Sequence, residues 1–133
     1  MLKGSKTAEN LMKSFAGECQ ARTRYTYYSS IAKKEGYIQI ANIFMETAEQ
    51  EKEHAKIFLK FLKSEYNDEE IEIKASYPVA LHEETKNNLM KAADGENAEW
   101  TKDYPQFAQI AKKEGFNKIA MAYEKIAKIE ARH

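Results

Sequence analysis

Residues 7–18 read TAENLMKSFAGE, and residues 85–96 read TKNNLMKAADGE. The two segments lie 78 residues apart and carry the same amino acid at seven of their twelve positions. A second repeat follows, because IAKKEG at residues 31–36 returns as IAKKEG at residues 110–115, now 79 residues later. The chain therefore contains two copies of one unit, and the second copy is one residue longer.

The composition predicts that both units are helical. Only five Gly and two Pro interrupt 133 residues, whereas Ala, Glu, Lys, Leu and Met, which favour helices, are abundant. Apolar side chains return at steps of three and four residues, as they do on the buried face of a helix. We expect four helices, at about Thr7–Glu35, Gln39–Leu62, Thr85–Glu114 and Asn117–His133.

Short turns at Gly36 and Gly115 make each unit an antiparallel helical hairpin. The hairpins occupy about 7–54 and 85–133 within one domain that spans the whole chain. The segment 64–78 mixes acidic residues with an asparagine and a proline, so we expect it to connect the hairpins. A duplicated hairpin with one long connection predicts an all-α fold, a four-helix bundle with a crossover.

Pro105 falls inside the third predicted helix. Proline has no backbone N–H, so it should kink this helix or remove one of its hydrogen bonds. The one-residue difference between the two units also falls here, between Glu96 and Ile110.

Charge and composition exclude several classes of protein. The 21 basic residues balance the 21 acidic ones, whereas a nucleic-acid-binding protein usually has a basic excess. No run of about 18 apolar residues could span a membrane, and Met1–Ser5 does not begin a signal peptide. The single cysteine, Cys19, cannot form an internal disulfide. We therefore expect a cytoplasmic protein that binds neither nucleic acid nor membrane.

Two Glu-x-x-His motifs occupy equivalent positions in the two units. They run from Glu51 to His54 and from Glu130 to His133, 79 residues apart. Residues three apart on a helix share one face, with about 5–6 Å between their Cβ atoms. The carboxylate and the imidazole of each motif can therefore bind one metal ion together.

Three further glutamates are candidates for the same site. Glu18 and Glu96 are equivalent residues on the preceding helices, and Glu99 follows one turn after Glu96, where the first unit has Ala21. Glu18 shares the apolar stripe of its helix with Leu11, and a carboxylate there is costly unless it is protonated, paired or bound to a metal. Five glutamates and two histidines are enough ligands for two metal ions. Ligation by many oxygens and one imidazole per metal suits iron or manganese better than zinc.

Four segments carry a resemblance to a known family. They are AGECQARTRY at 16–25, AEQEKEHA at 48–55, GENAEW at 95–100 and IEARH at 129–133. The sequence resembles the rubrerythrins, of the ferritin-like superfamily, over essentially the whole chain. The resemblance implies a ferritin-like four-helix bundle with two iron ions in a carboxylate-bridged centre, or manganese or zinc by mis-metallation.

The resemblance also implies how the metal ligands are shared between the two ions. Glu51 and Glu130 would bridge the two irons. Glu18 would be a terminal ligand on one iron, with Glu96 and His133 on the other.

Four residues would have further roles by the same resemblance. On reduction the first iron would exchange Glu99 for His54, which makes these two the candidate catalytic residues. Tyr25 and Tyr104 match family tyrosines that hydrogen-bond the ligand carboxylates.

The function implied is that of a peroxidase, which reduces hydrogen peroxide to water and protects the cell from oxidative stress. The family usually carries a rubredoxin-like domain with paired Cys-x-x-Cys motifs, and Cys19 alone cannot build that site. Electrons are therefore expected from an external donor such as rubredoxin. We also expect a homodimer, and the connection at 64–78 leaves an exchange of helices between subunits open.

Two other functions compete with the peroxidase. The first is a ferritin-like iron oxidase or iron-binding protein that uses the same cluster to oxidise ferrous iron. The second is a structural bundle with buried carboxylates and no metal.

Overall fold

The computed structural model describes residues 1–132, and in this part of the chain it contains helices and no strand. A π-helical segment, Glu99–Asp103, joins two of the helices into one continuous rod, so the helices form four rods. The predicted all-α, four-helix fold is confirmed. The helices are α1 Lys6–Lys34, α2 Ile38–Tyr66, α3 Thr85–Ala98, α4 Tyr104–Lys113 and α5 Asn117–Glu130.

The two hairpins form as the glycine pattern predicts. Helix α1 packs along α2 and helix α4 packs along α5, while α1 also contacts the rod that α3 and α4 form. Gly36 and Gly115 sit in the turns with φ angles of 88° and 89°. These are left-handed conformations that glycine adopts without steric cost.

The connection between the hairpins lies later in the chain than predicted. Helix α2 continues to Tyr66, and the irregular connection covers residues 67–84 rather than 64–78. The polar residues after Leu62 do not end the helix, because Tyr66 still packs against the core one turn further on. Asn67, with a φ of 56°, then turns the chain out of the helix.

The third predicted helix is interrupted by the π-helical segment. A π turn closes its hydrogen bonds over five residues instead of four, and it takes up one additional residue. The longer second copy has its additional residue here, since Tyr25 follows Glu18 by seven residues and Tyr104 follows Glu96 by eight. Pro105 lies in the first turn of α4, directly after the π-helical segment, and its missing N–H removes one backbone hydrogen bond from the continuous rod.

Two aromatic clusters form the core, one toward each end of the bundle. Phe58, Tyr104 and Tyr123 pack with ring centroids 5.1–5.7 Å apart at one end. Tyr28 and Phe44 belong to the other cluster, with centroids 5.4 Å apart. The candidate ligands of α1 and α2 lie between these two clusters along their helices. None of the described helices is both long and apolar enough to cross a membrane.

A glutamate from each hairpin accepts hydrogen bonds from the first turn of a helix in the other hairpin. Thr85 donates hydrogen bonds to Glu35 Oε1 from its backbone N–H, at 2.7 Å, and from its hydroxyl, at 2.6 Å. Thr7 binds Glu114 Oε1 in the same two ways, with 2.8 Å for the backbone N–H. The hydroxyl of Thr85 holds the pKa of Glu35 below its ordinary value. The four residues therefore form two reciprocal links between the hairpins.

Candidate metal centre

Four of the predicted ligands meet in the middle of the bundle. Glu18 comes from α1, Glu51 and His54 come from α2, and Glu130 comes from α5. Each offers one ligand atom, and these four atoms all lie within 4.8 Å of one another. All four residues are buried, with exposed fractions between 0% and 5%. Such a distance between donor atoms is short enough for one or two metal ions to bind them together.

The imidazole of His54 faces two of the carboxylates. Its Nδ1 atom lies 3.1 Å from Glu18 Oε2 and 3.9 Å from Glu130 Oε1. Because His54 follows Glu51 by one turn, both residues of the motif point into the same cluster. The Glu-x-x-His spacing therefore places the carboxylate and the imidazole in one cluster.

Two tyrosines hold glutamates from the other hairpin. Tyr104 donates a hydrogen bond to Glu18 Oε1 at 2.7 Å, and Tyr25 donates one to Glu96 Oε1 at 3.2 Å. Burial, together with the neighbouring carboxylates, raises the pKa of both phenols well above the ordinary value. Both tyrosines therefore stay protonated and act as donors at neutral pH.

Glu96 and Glu99 flank this cluster from the third rod. Glu96 is buried near the end of α3, and Glu99 begins the π-helical segment. Burial, and then the charges of Glu18 and Glu96, raise the pKa of Glu99 to about 9. His133, the seventh predicted ligand, lies outside the described residues.

The central carboxylates lack hydrogen-bond donors among the described residues. Both oxygens of Glu51 and both oxygens of Glu130 are buried and accept no hydrogen bond. Burial, and then the neighbouring carboxylates, raise the pKa of both groups far above the ordinary range. Glu18 differs, because hydrogen bonds led by that from His54 outweigh its burial and keep its pKa below the ordinary value.

This arrangement is too costly to persist without cations or protons. A buried carboxylate without a partner costs several kcal/mol, and a whole domain is stable by only about 5–15 kcal/mol. Several hard oxygen donors with an imidazole nitrogen are the donor set that iron and manganese accept. The residues present therefore fit the di-iron centre that the sequence predicts.

Tyr77, on the crossover, packs against the residue that precedes the candidate ligand Glu18, and the sequence did not point to it. The hydroxyl of Tyr77 donates to the carbonyl of Lys13 at 2.6 Å, and its ring covers Gly17. A Cβ atom on Gly17 would lie 3.3 Å from Tyr77 Cε1, so glycine permits this close approach. The signal in the sequence was a glycine that precedes a candidate ligand in both units, at Gly17 and at Gly95.

Comparisons with known proteins show which family the chain is similar to. The family model described as Rubrerythrin matches residues 9–133. The rubrerythrin of Clostridium perfringens is 63% identical over 132 residues, which cover 99% of this chain and 68% of that protein. The rubrerythrin of Porphyromonas gingivalis is 56% identical and covers 99% of this chain and 64% of that protein. The chain thus spans about two thirds of the length of these relatives.

Solved structures of nigerythrin share the fold. A mixed-valence state superimposes with a TM-score of 0.82 and 31% identity, over 98% of this chain and 65% of that one. The fully reduced, all-ferrous state gives a TM-score of 0.81 and 30% identity, over 99% and 68%. With a family model that matches nearly every residue and relatives that match at high identity, the chain belongs to the rubrerythrin family.

Proposed function

We propose that the chain is a di-iron peroxidase that reduces hydrogen peroxide to water with electrons from an external donor such as rubredoxin. The observation that carries this proposal is the buried cluster of Glu18, Glu51, His54 and Glu130, whose central carboxylate oxygens have no donors of their own. Membership of the rubrerythrin family supports the same function. All four residues of the cluster are buried in the interior of the bundle.

Seven residues are proposed as ligands of two iron ions, with Glu51 and Glu130 shared by both. When bound, two ferrous ions supply the two electrons that, with two protons, convert one hydrogen peroxide into two water molecules. The proposed ligands are Glu18, Glu51, His54, Glu96, Glu99, Glu130 and His133.

The chain's own residues hold this ligand set in place. The phenol of Tyr104 fixes Glu18 through Oε1 and leaves Oε2 facing the imidazole of His54. Tyr25 fixes Glu96 in the same way. Hydrogen bonds of this kind orient ligands and raise their affinity for the metal.

His54 and Glu99 are proposed to alternate as ligands with the oxidation state of the iron. His54 Nδ1 lies 3.1 Å from Glu18 Oε2, and the charge of Glu18, after burial, raises the pKa of Glu99. Ferric iron is harder and favours an anionic oxygen ligand, whereas ferrous iron tolerates a neutral imidazole. An exchange of Glu99 for His54 would therefore match the charge of the ligands to that of the metal.

Metal analysis and peroxide titration test the proposal directly. After anaerobic loading with ferrous iron, we expect about two iron ions per chain and oxidation of both by about one hydrogen peroxide. Glu51→Ala should bind less than about one iron per chain, because it removes a shared ligand. Glu53→Ala is the matched control, since Glu53 lies on the same helix but is exposed. Reduced rubredoxin should support continued turnover.

Other outcomes identify the competing functions. Growth of an iron mineral without rapid consumption of peroxide would identify a ferritin-like iron oxidase. Less than about one bound metal per chain, with a stability that Glu51→Ala leaves unchanged, would identify a structural bundle. The homodimer stays a prediction, which the molecular mass in solution checks.

A further inference from the structure

A cavity of about 410 Å³ lies between α1, the π-helical segment and residues 74–78 of the crossover. Glu99 and Tyr104 line it, so the cavity reaches the carboxylate cluster. Lys74, which is exposed, lines it as well, so the cavity also reaches solvent. The space therefore connects the candidate metal centre with the outside of the bundle.

The two equivalent glycines differ in what covers them. Gly17 and Gly95 both line this cavity, and each directly precedes a candidate ligand. The ring of Tyr77 fills the space beside Gly17, whereas a Cβ atom on Gly95 would meet nothing within 4 Å. The crossover thus closes one of the two equivalent positions and leaves the other open.

The backbone does not require glycine at position 95. Among the described residues, only Gly4, Gly36 and Gly115 combine glycine with a positive φ, so Gly95 has an ordinary helical conformation. Alanine would stabilise a helix at such a position. Neither the backbone conformation nor a close neighbour therefore requires glycine at position 95, and a side chain there would have free space beside it.

Glu99 presents an unpartnered polar atom to this space. Its Oε2 atom is buried and has no hydrogen-bond partner among the described residues. A small polar molecule that travels through the cavity would meet this oxygen beside the cluster. A buried polar atom without a partner is a site where such a molecule can form a hydrogen bond.

We propose that this cavity is the access route through which a small polar substrate reaches the metal centre, and that Gly95 keeps it open. That the substrate is hydrogen peroxide rests on the function proposed above. The groove between α2 and α3 is the rival route, because it touches Glu96 and Glu130. Its walls combine apolar side chains such as Ile43 with polar ones such as Gln50, so the variants below test one route against the other.

Side chains of increasing size at position 95 test the route. Azide is the probe, because this small anion ligates ferric iron without being consumed. In iron-loaded Gly95→Leu we expect azide to associate and dissociate about tenfold more slowly, an added barrier of about 1.4 kcal/mol. The equilibrium Kd should stay the same, because an obstruction in the route slows both directions equally. Gly95→Ala should have a smaller effect in the same direction.

Two further variants serve as controls for the position and for the fold. Ala93→Leu adds the same side chain two residues earlier on α3, where it lines the rival groove, and it should leave the azide rates unchanged. Ser76→Phe narrows the cavity from the crossover and changes no helix, so it should slow azide as Gly95→Leu does. Iron content and helical circular dichroism establish that each variant is folded and loaded.

The outcomes separate this proposal from the proposed function. If Ala93→Leu slows azide while Gly95→Leu and Ser76→Phe do not, the route runs through the groove and the proposal is wrong. A changed Kd with unchanged association would show a distorted centre, and this also contradicts it. Slowed azide in a protein that does not reduce peroxide would leave the route standing and reject the peroxidase. A chain that binds no iron rejects both.

Discussion

Tyr104 determines how the two oxygens of Glu18 are used. Oε1 accepts the hydrogen bond from the Tyr104 phenol, and Oε2 faces His54 Nδ1. The aromatic core holds the tyrosine, whose ring lies 5.7 Å from that of Phe58 and 5.3 Å from that of Tyr123. The position of one candidate ligand therefore depends on packing at one end of the bundle.

Tyr104→Phe should weaken metal binding and leave the fold intact. The lost hydrogen bond to Glu18 should lower metal affinity about 10–100-fold, as is typical for a group that orients a ligand. The free energy of unfolding of the metal-free protein should fall by only about 1 kcal/mol. Competition with a chelator measures the affinity, and urea denaturation measures the stability.

Tyr123→Phe is the control for this prediction. Tyr123 also makes one buried hydrogen bond, to Ser14 at 2.8 Å, but this bond does not involve a candidate ligand. Phe44 is the equivalent of Tyr123 in the first unit, and Ala92 is the equivalent of Ser14 in the second unit. These two apolar residues belong to the other core cluster, so the bundle already accommodates an apolar version of the Ser14–Tyr123 pair. An equal loss of metal affinity in both variants would contradict a specific role for Tyr104.

At the scale of the helices, the π-helical segment sets the rotation of α4 relative to α3. Deletion of Lys102 should convert the segment to a regular α-helix, because it removes the additional residue of the second unit. One residue corresponds to about 100° of rotation and 1.5 Å of rise. The loss of the π turn cancels this change, so Tyr104 would follow Glu96 by seven residues, as Tyr25 follows Glu18, and should keep its hydrogen bond to Glu18. We therefore expect metal binding and helical circular dichroism to persist.

A deletion in the crossover is the control for this change. Glu70 lies in the irregular connection, outside all helices, so its removal should leave metal binding largely unchanged. Loss of metal binding after deletion of Lys102, with retention after deletion of Glu70, would show that the π turn itself is needed to direct Tyr104 toward Glu18.

The reciprocal caps between the hairpins predict a pH-dependent stability. The lowered pKa of Glu35 means that its link to Thr85 stabilises the fold above pH 4.5, the ordinary value, and loses this effect as the pH falls. Glu35→Gln should therefore lower the Tm at pH 7, and the difference from the parent chain should shrink in acid. Glu72→Gln, an equal change of charge on the exposed crossover, should have little effect at either pH.

The sequence predicts most of the helices, and also which four candidate ligands meet, because both depend on periodic spacing. The Glu-x-x-His motifs and the terminal glycines specify local geometry, so their neighbours in space follow from the helical repeat. The π-helical segment and the caps between hairpins depend on contacts between distant residues. The change in offset near Pro105 indicated an irregularity, and the π-helical segment lies directly before Pro105, but the spacing alone does not specify a π turn.

At the scale of the whole molecule, the carboxylate cluster makes the metal-free protein sensitive to base. The pKa values of Glu51, Glu99 and Glu130 are raised, that of Glu99 to about 9, so the folded chain keeps protons that the unfolded chain releases above pH 4.5. Stability without metal should therefore fall as the pH rises from about 5 to about 9.

Urea denaturation with a chelator at several pH values measures this dependence. Glu51→Gln should make it shallower, because one titrating group is lost. Loading with iron should remove the dependence or reverse it, since metal ions bind deprotonated carboxylates more tightly as the pH rises. Metal-free stability that increases up to pH 9 would contradict the crowding of carboxylates in the interior.

The paired contacts between the hairpins have the form of an interface in a symmetric dimer. Thr85 meets Glu35 as Thr7 meets Glu114, and in an isologous interface every contact likewise occurs twice with the roles exchanged. The crossover acts as a tether that makes this association intramolecular and independent of protein concentration. Two halves on one chain also mutate separately, which identical subunits cannot do. As a result of such separate changes, only the second half has a carboxylate at the position of Glu99, where the first half has Ala21. Two metal ions bound here would therefore have different surroundings.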